Sequence, residues 1–165
     1  MRSRTSTWFE TKVKYQKTME DGSEKVVSEA YVVDALSFTE AESAIIDEMS
    51  VYINGVLKIN SIGKACYGEI FFSDIDDDDK WYKAKLQFIT IDEKTEKEKR
   101  SNVTYLVQAK SLARALRYID EVMGKTMIDY DVVGLNETKL MDVFEHHAPG
   151  DKKEEKNDVP EYEEK

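Results

Sequence analysis

Two tryptophan and lysine pairs carry the side chains of this sequence that are best suited to bind a ligand. Lys12 follows Trp8 by four residues, and Lys85 follows Trp81 by four residues. An exposed indole ring beside an ammonium group can stack on a nucleobase or anchor a protein partner. The alternative is structural, with each ring covering a sheet edge or filling the junction between two parts of the fold, because so large an apolar surface is seldom left in water.

A second cationic feature is a stripe on a predicted helix, formed by Lys110, Arg114 and Arg117 at helical spacing. An earlier predicted helix carries acidic residues instead: Glu40, Glu42, Asp47 and Glu48. The basic stripe can face phosphates, pair with the acidic helix within or between molecules, or simply keep its helix soluble. The candidate binding surface therefore comprises Trp8, Lys12, Trp81, Lys85, Lys110, Arg114 and Arg117.

Metal binding is weakly indicated. Asp74, Asp76 and Asp78 alternate as in the first half of an EF-hand calcium loop. The sixth position is Asp79 where a glycine makes the turn, and the twelfth is Lys85 where a bidentate glutamate is needed. The run is expected to be a solvated linker, with no bound metal.

Catalytic residues are not apparent either. His146 and His147 are the only histidines, and adjacent side chains rarely converge on one metal. Glu10 and Lys12 have the E-x-K form of some nucleases, without a convincingly placed aspartate. The single Cys66 reads as a small core residue. We predict no catalytic residue and no cofactor, and an enzyme of unrecognised type is kept as the third alternative.

The composition is that of a globular protein with a charged surface. The 165 residues are 41% hydrophobic and 35% charged, with a formal net charge of −10. No run reaches the ~18 apolar residues of a membrane span, and the amino-terminal stretch lacks an apolar core. We expect a cytoplasmic protein with no membrane partner.

The sequence of residues 31–49 recurs at residues 105–123. Identical residues are first two apart and then four apart, a change that is typical of a strand running into a helix. The matched pairs are Tyr31/Tyr105, Val33/Val107, Ala35/Ala109, Ser37/Ser111, Ala41/Ala115, Ile45/Ile119 and Met49/Met123. The pattern predicts an internal duplication.

Each repeat is predicted to contain a hairpin, a helix and a further strand. The predicted strands are residues 8–16, 25–35, 56–62 and 66–72, then 81–91 and 127–133; residues 136–144 are either a short helix or a strand. Ser37 and Glu40 form a capping box at the first helix, and Gly124 can end the second in the left-handed conformation. The domain boundaries follow as residues 1–73 for the first repeat, 74–79 for an acidic linker, 80–147 for the second repeat and 148–165 for a disordered acidic tail.

Four stretches of the sequence resemble an uncharacterised family, a domain of unknown function encoded by gut bacteria and their bacteriophages. They are RSRTSTWFETKVKYQKTMEDG, KVVSEAYVVDALSFTEAE, EIFFSDI and DDKWYKAKLQFITIDEKTEKEKRSNVTYLVQA. The resemblance brings no activity and no catalytic residues. It implies a cytoplasmic protein of phage or mobile-element origin.

The predicted fold is α+β, an internal duplication of a ββαβ-type unit with an antiparallel sheet, helices on one side and a pseudo-twofold axis. The predicted function is that of a non-enzymatic binding protein, an accessory single-stranded nucleic-acid-binding protein in phage-type DNA metabolism. The alternative is a protein-binding adaptor or inhibitor that acts on a replication or host protein through its acidic surface and tail.

Overall fold

The computed structural model describes residues 1–53 and 55–146. Its elements in chain order are β1 (Arg2–Arg4), β2 (Trp8–Thr18), β3 (Glu24–Asp34), α1 (Phe38–Met49), β4 (Lys58–Ala65), β5 (Glu69–Phe72), β6 (Lys80–Ile91), β7 (Glu98–Ala109), α2 (Leu112–Gly124), β8 (Asp129–Glu137) and β9 (Leu140–Phe144). The α+β class is confirmed. The predicted tail at 148–165 and His147 lie outside the described residues.

The four-stranded unit contains residues 7–65 and the described residues from Asp142 onward, with strand order β4-β2-β3-β9. Strands β2 and β3 form a long antiparallel hairpin, in register from Trp8 opposite Asp34 to Thr18 opposite Glu24. Alternate residues of the hairpin pack against α1, as the period of two predicts. The buried core includes Phe9, Val13, Tyr15, Tyr31, Val33, Ala41, Ala44, Ile45 and Met49.

The five-stranded unit contains residues 1–6 and 66–141, with strand order β1-β5-β7-β6-β8. Its hairpin of β6 and β7 is antiparallel, and alternate hairpin residues pack against α2. The buried core includes Phe71, Tyr82, Ala84, Leu86, Tyr105, Val107, Ala115, Ile119 and Met123. Alternate residues of both hairpins are therefore buried, as the period of two predicts.

The two short strands β5 and β9 do not stay with the elements that precede them in the chain. Strand β5 pairs with β7 in a parallel register, with Glu69 opposite Tyr105, and strand β9 lies beside β3. The compact units therefore do not coincide with residues 1–73 and 80–147. One pair of strands is parallel where an antiparallel sheet was expected, because alternation shows which residues face a core but not which sheet a strand joins.

The two helices begin at matched serine caps. The Ser37 hydroxyl accepts from the Glu40 amide at 3.1 Å, so the predicted Ser37 cap is confirmed. The Glu40 carboxylate accepts from the Leu36 amide at 2.7 Å, one residue before the cap. Ser111 accepts from the Arg114 amide at 3.2 Å in the same way. The expectation for Gly124 is wrong, because Gly124 is the last residue of α2 without a positive φ, and the cap residue Lys125 is right-handed with φ −84°.

The stretch 136–144 is extended and contains no helix. Strand β8 runs to Glu137, and β9 begins at Leu140 after a short break. The Thr138 amide and hydroxyl both donate to the Trp81 carbonyl, at 2.9 and 2.8 Å, and this fixes the break against β6. The strand alternative is therefore confirmed.

Candidate functional site

Trp8 and Trp81 are buried rather than available for stacking. Trp8 is 1% exposed and Trp81 is 2% exposed. Both lie on the sheet face opposite the helix of their unit, as their phase relative to the core residues predicts, but at a level of the strand where that face is also buried. The Trp81 ring meets the Phe72 ring edge to face at a centroid distance of 5.6 Å. The exposed stacking surface is therefore a wrong prediction, and the structural alternative is correct.

The lysines paired with the tryptophans are exposed. Lys12 is exposed on β2, and Lys85 is exposed on β6. Each lies on what we call the open face of its sheet, the face turned away from the helix. The open face is buried at the tryptophan and becomes exposed further along the strand, from Lys12 on β2 and from Lys83 on β6.

In the four-stranded unit this accessible part carries three lysines, Lys12, Lys14 and Lys58, which we call the lysine patch. Lys12 and Lys14 alternate on β2, and Lys58 of edge strand β4 is the direct cross-strand partner of Lys14. None of the three has an ion-pair partner within residues 1–53 and 55–146. Directly opposed side chains of this kind have Cβ atoms ~5 Å apart, and like charges there destabilise the sheet.

Small side chains surround the lysine patch. Lys12 lies opposite Ala30 on β3 and Ser61 on β4, and Lys14 lies opposite Ser28. These neighbours do not shield the ammonium groups. The nearest acid on β2 is the half-buried Glu10, two residues before Lys12. The result is a shallow cationic surface on a sheet.

The open face of the five-stranded unit is closer to neutral. Lys83 and Lys85 are exposed, but beyond them Arg100 donates to Asp131 at 2.7 Å and lies 3.5 Å from Glu98. The Asp131 hydrogen bond, together with the charge of Glu98, raises the pKa of Arg100. Further polar side chains lie on the same face. Gln87 donates to Asn102 at 3.1 Å, and Arg100 donates to Gln87 at 3.2 Å. Asp129 lies opposite Ile89 on the neighbouring strand.

The predicted basic stripe on α2 is interrupted by an ion pair. Lys110 and Arg117 are exposed, whereas Arg114 is half-buried and lies 3.3 Å from the carboxylate of Asp78. Arg114 is therefore a structural residue of the five-stranded unit. The two remaining cations belong to a different unit from Lys12.

Asp78 is the residue that sequence reasoning misread. It is 1% exposed, while the other aspartates of residues 74–79 are exposed as predicted for a solvated segment. Its carboxylate accepts from the Lys110 amide at 2.9 Å, the Tyr118 hydroxyl at 2.6 Å and the Ser73 hydroxyl. Burial works against ionisation, but these donors and Arg114 outweigh it and lower the pKa of Asp78. One aspartate of the run thus fixes the segment to α2.

A second polar cluster lies on the helix side of the four-stranded sheet. The Glu29 carboxylate accepts from the Tyr15 hydroxyl at 2.5 Å and from the Tyr31 hydroxyl at 3.0 Å. Burial, followed by the Glu29 hydrogen bond and charge, raises the pKa of Tyr15 to about 12 and that of Tyr31 further. Both hydroxyls stay protonated at neutral pH, so the cluster is a satisfied buried network rather than a nucleophile with its base.

The remaining candidate residues that the structure describes include His146 and Cys66. The His146 amide donates to Asp34, and its Nε2 atom lies 2.9 Å from the Glu48 carboxylate. Within the described part of the chain no group of three or more His, Cys, Asp or Glu side chains could hold a metal ion. Cys66 is exposed, which corrects its assignment to the core. None of the described helices is long and apolar enough to cross a membrane.

The chain matches an uncharacterised family, as the sequence resemblance implies. Residues 7–146 match the model of a family described as a domain of unknown function, DUF4494, and the chain belongs to this family. No curated protein matches the chain. The observations that bear on function are therefore the contacts and charges described above.

Proposed function

We propose that this protein is a non-enzymatic binding protein whose lysine patch takes up a polyanion, and that the polyanion is single-stranded nucleic acid. The observation that carries the proposal is the pairing of Lys14 with Lys58 across neighbouring strands without a counter-charge among the described residues. A sheet that keeps such a pair gives up stability, and a bound phosphate chain would offset the repulsion.

Single-stranded nucleic acid is the favoured polyanion because the patch is part of a sheet surface flanked by Ser28, Ala30 and Ser61. A duplex is read by an element that enters a groove, whereas the lysine patch lies on the sheet strands β2 and β4. Binding through phosphates alone would be independent of base sequence and strongly dependent on salt. With both tryptophans buried, base stacking is not part of the proposal.

The proposed setting is an accessory role in phage-type DNA metabolism in the cytoplasm. The support is the family resemblance, which implies a phage or mobile-element origin. Phosphate-driven binding without base readout suits an accessory role, because it coats or retains a strand without altering it.

The proposal includes an origin by internal duplication. Both units have a hairpin, a helix with a serine cap and a third strand, in that order. The third strand, β4 or β8, has one extra residue at matched places, opposite Lys12 and Val13 in one unit and opposite Lys85 and Leu86 in the other. A shared bulge position supports descent from one ancestral unit, because bulges are conserved within families.

Titration of a fluorescent single-stranded oligonucleotide tests the function. Replacing both Lys14 and Lys58 by Gln is expected to weaken binding about tenfold at low salt and to lower the salt slope by about 1.4, the loss of two phosphate contacts. The matched control replaces Lys83 and Lys85 by Gln on the open face of the other unit, and binding should change less than twofold. Equal weakening by both double variants would contradict the lysine patch as the site.

A protein-binding adaptor or inhibitor is the second candidate function. Its specific support is an exposed apolar segment after α1, where Val51, Tyr52 and Val56 are 79%, 72% and 87% exposed. The exposed acids Glu42 and Asp47 lie on the preceding helix. Capture of a host protein that survives nuclease treatment, together with an oligonucleotide titration that shows no binding at low salt, would favour this function over the first.

A further inference from the structure

We propose that the acidic segment of residues 151–165 binds the lysine patch of its own molecule and competes there with nucleic acid, an inference that rests on the proposed function. The segment lies outside the described residues. The patch is Lys12, Lys14 and Lys58, as defined above.

Charge complementarity is the first support. The segment holds seven acidic residues and four lysines, a net charge of −3. Between residues 157 and 164 the carboxylates of Asp158, Glu161, Glu163 and Glu164 occur without any lysine. The lysine patch offers the complementary charge, three exposed ammonium groups that have no ion pair within the described part of the chain. The acidic face of α1, with Glu42 and Asp47, would repel the segment instead.

The point from which the segment departs is the second support. The His146 amide donates to Asp34, which is the cross-strand partner of Trp8. From Trp8 to Lys14 is six residues of extended strand, or ~20 Å. Residues 147–165 can span at most ~60 Å, so the acidic stretch can reach the patch of the unit to which it is attached.

Covalent attachment makes weak ion pairs sufficient. Exposed pairs of lysine and carboxylate are individually weak and are screened by salt. A tethered segment, however, meets the patch at an effective concentration in the millimolar range. Occupancy by the segment should therefore be substantial at low salt and should disappear at high salt.

Zero-length carbodiimide crosslinking of the dilute full-length protein tests the contact without any nucleic acid. We expect intramolecular crosslinks from carboxylates of residues 158–164 to Lys12, Lys14 or Lys58, identified by mass spectrometry. These crosslinks should exceed those to Lys83 and Lys85 at least fivefold, and should be lost in about 1 M salt, where the Debye length is ~3 Å. An even distribution over the exposed lysines would overturn the inference.

A truncation separates this inference from the function on which it rests. Removing residues 151–165 should tighten binding of a single-stranded oligonucleotide several-fold, on the order of fivefold in 50 mM salt, by removing a competing polyanion. Replacing Asp158, Glu161, Glu163 and Glu164 by their amides should have the same effect at full length. Crosslinks without oligonucleotide binding by either form would reject the function and keep the contact, whereas binding that is identical in all three forms would reject the competition.

Discussion

The two sheets of this protein are built in the same way and carry different charge on their open faces. Beyond the buried tryptophan, the four-stranded sheet presents Lys12, Lys14 and Lys58 without ion-pair partners among the described residues. At the corresponding level of the five-stranded sheet Lys83 and Lys85 are likewise exposed, and only further along the strands is Arg100 bound to Asp131 and close to Glu98. Among the described residues, the lysines of the first surface have no carboxylate partner, whereas the second surface pairs part of its cationic charge, at Arg100, with its own carboxylates.

The two halves of each open face have different roles. The half at Trp8 and at Trp81 is buried in both units and contributes to stability. The half beyond it is free to differ between units, and it does so through charge. We therefore expect charge-dependent binding to favour the four-stranded unit, although Lys12 and Lys85 each follow a tryptophan by four residues.

The largest expected effect breaks what the two units share. Trp8→Ala and Trp81→Ala should each lower the free energy of unfolding by about 3 to 5 kcal/mol, because each leaves a large cavity. Urea denaturation monitored by circular dichroism measures the loss, and Gln16→Ala on the exposed part of β2 is the control, expected within about 0.5 kcal/mol. A loss below about 1 kcal/mol for either tryptophan, the usual result at a surface position, would contradict its burial in the folded protein.

The next effect belongs to the five-stranded unit alone. Asp78→Ala should cost about 2 to 4 kcal/mol at neutral pH, because it leaves Arg114, Tyr118 and Ser73 without their shared acceptor. Asp77→Ala is the matched control in the same acidic run, and its effect should stay within about 0.5 kcal/mol. Equal effects of the two substitutions would show that Asp78 is solvated like its neighbour.

The pH dependence of the Asp78 effect has a defined sign. The pKa of Asp78 is lowered in the folded state from its ordinary value of 3.8. Its contribution is therefore fully present above about pH 4 and is lost as the pH falls through the folded-state pKa. The difference in stability between the wild type and Asp78→Ala should shrink in the acid range, measured by urea denaturation between pH 7 and pH 3.

Proteolysis gives a second readout of the same anchor. Residues 76–80 match the enteropeptidase site, but the cleaved bond follows Lys80 at the start of β6, next to the buried Trp81. The native protein should resist the enzyme, and Asp78→Asn, which also alters the recognition site, should be compared after denaturation to correct for that change. Rapid cleavage of the native wild type would show that the segment is a free linker after all.

A smaller effect turns the lysine patch into a cross-strand ion pair. Lys58→Glu places a carboxylate directly opposite Lys14 and should stabilise the four-stranded unit by a few tenths of a kcal/mol at low salt. The same change should weaken oligonucleotide binding. Thermal denaturation at low and high salt measures the gain, which should vanish at high salt because exposed pairs are screened. A gain that persists at high salt would contradict relief of the Lys14 repulsion as its cause.

Much of the fold could be predicted from residue periodicity. The hairpins, the serine caps of Ser37 and Ser111 and the inward faces follow from local pattern, because these features depend on neighbours in the sequence. The placement of β5 and β9 does not, since their partners β7 and β3 are far away in the chain. Burial of Asp78 cannot be recognised in a run of like charges either, because the side chains that donate to its carboxylate come from other elements. Ser73 directly follows β5, and Arg114 and Tyr118 lie in α2.

The candidate site was only partly predictable for a related reason. Lys12 could be identified from its spacing to Trp8, but Lys58 enters the patch only through the register of β4 with β2. Trp8 lies on the sheet face turned away from the helix, but its place in the alternation does not show whether that face is exposed to solvent. Pairing of Arg114 with Asp78 likewise removes a cation that helical spacing placed in the basic stripe.

Lysine footprinting tests directly whether the lysine patch binds single-stranded nucleic acid. The protein is treated with an amine-acetylating reagent in low salt with and without a single-stranded oligonucleotide, and modification of each lysine is measured by mass spectrometry. The account predicts that the oligonucleotide protects Lys12, Lys14 and Lys58 while Lys83 and Lys85 stay as reactive as in the free protein. Protection of Lys83 and Lys85 to the same degree, or no protection of the lysine patch, would contradict it.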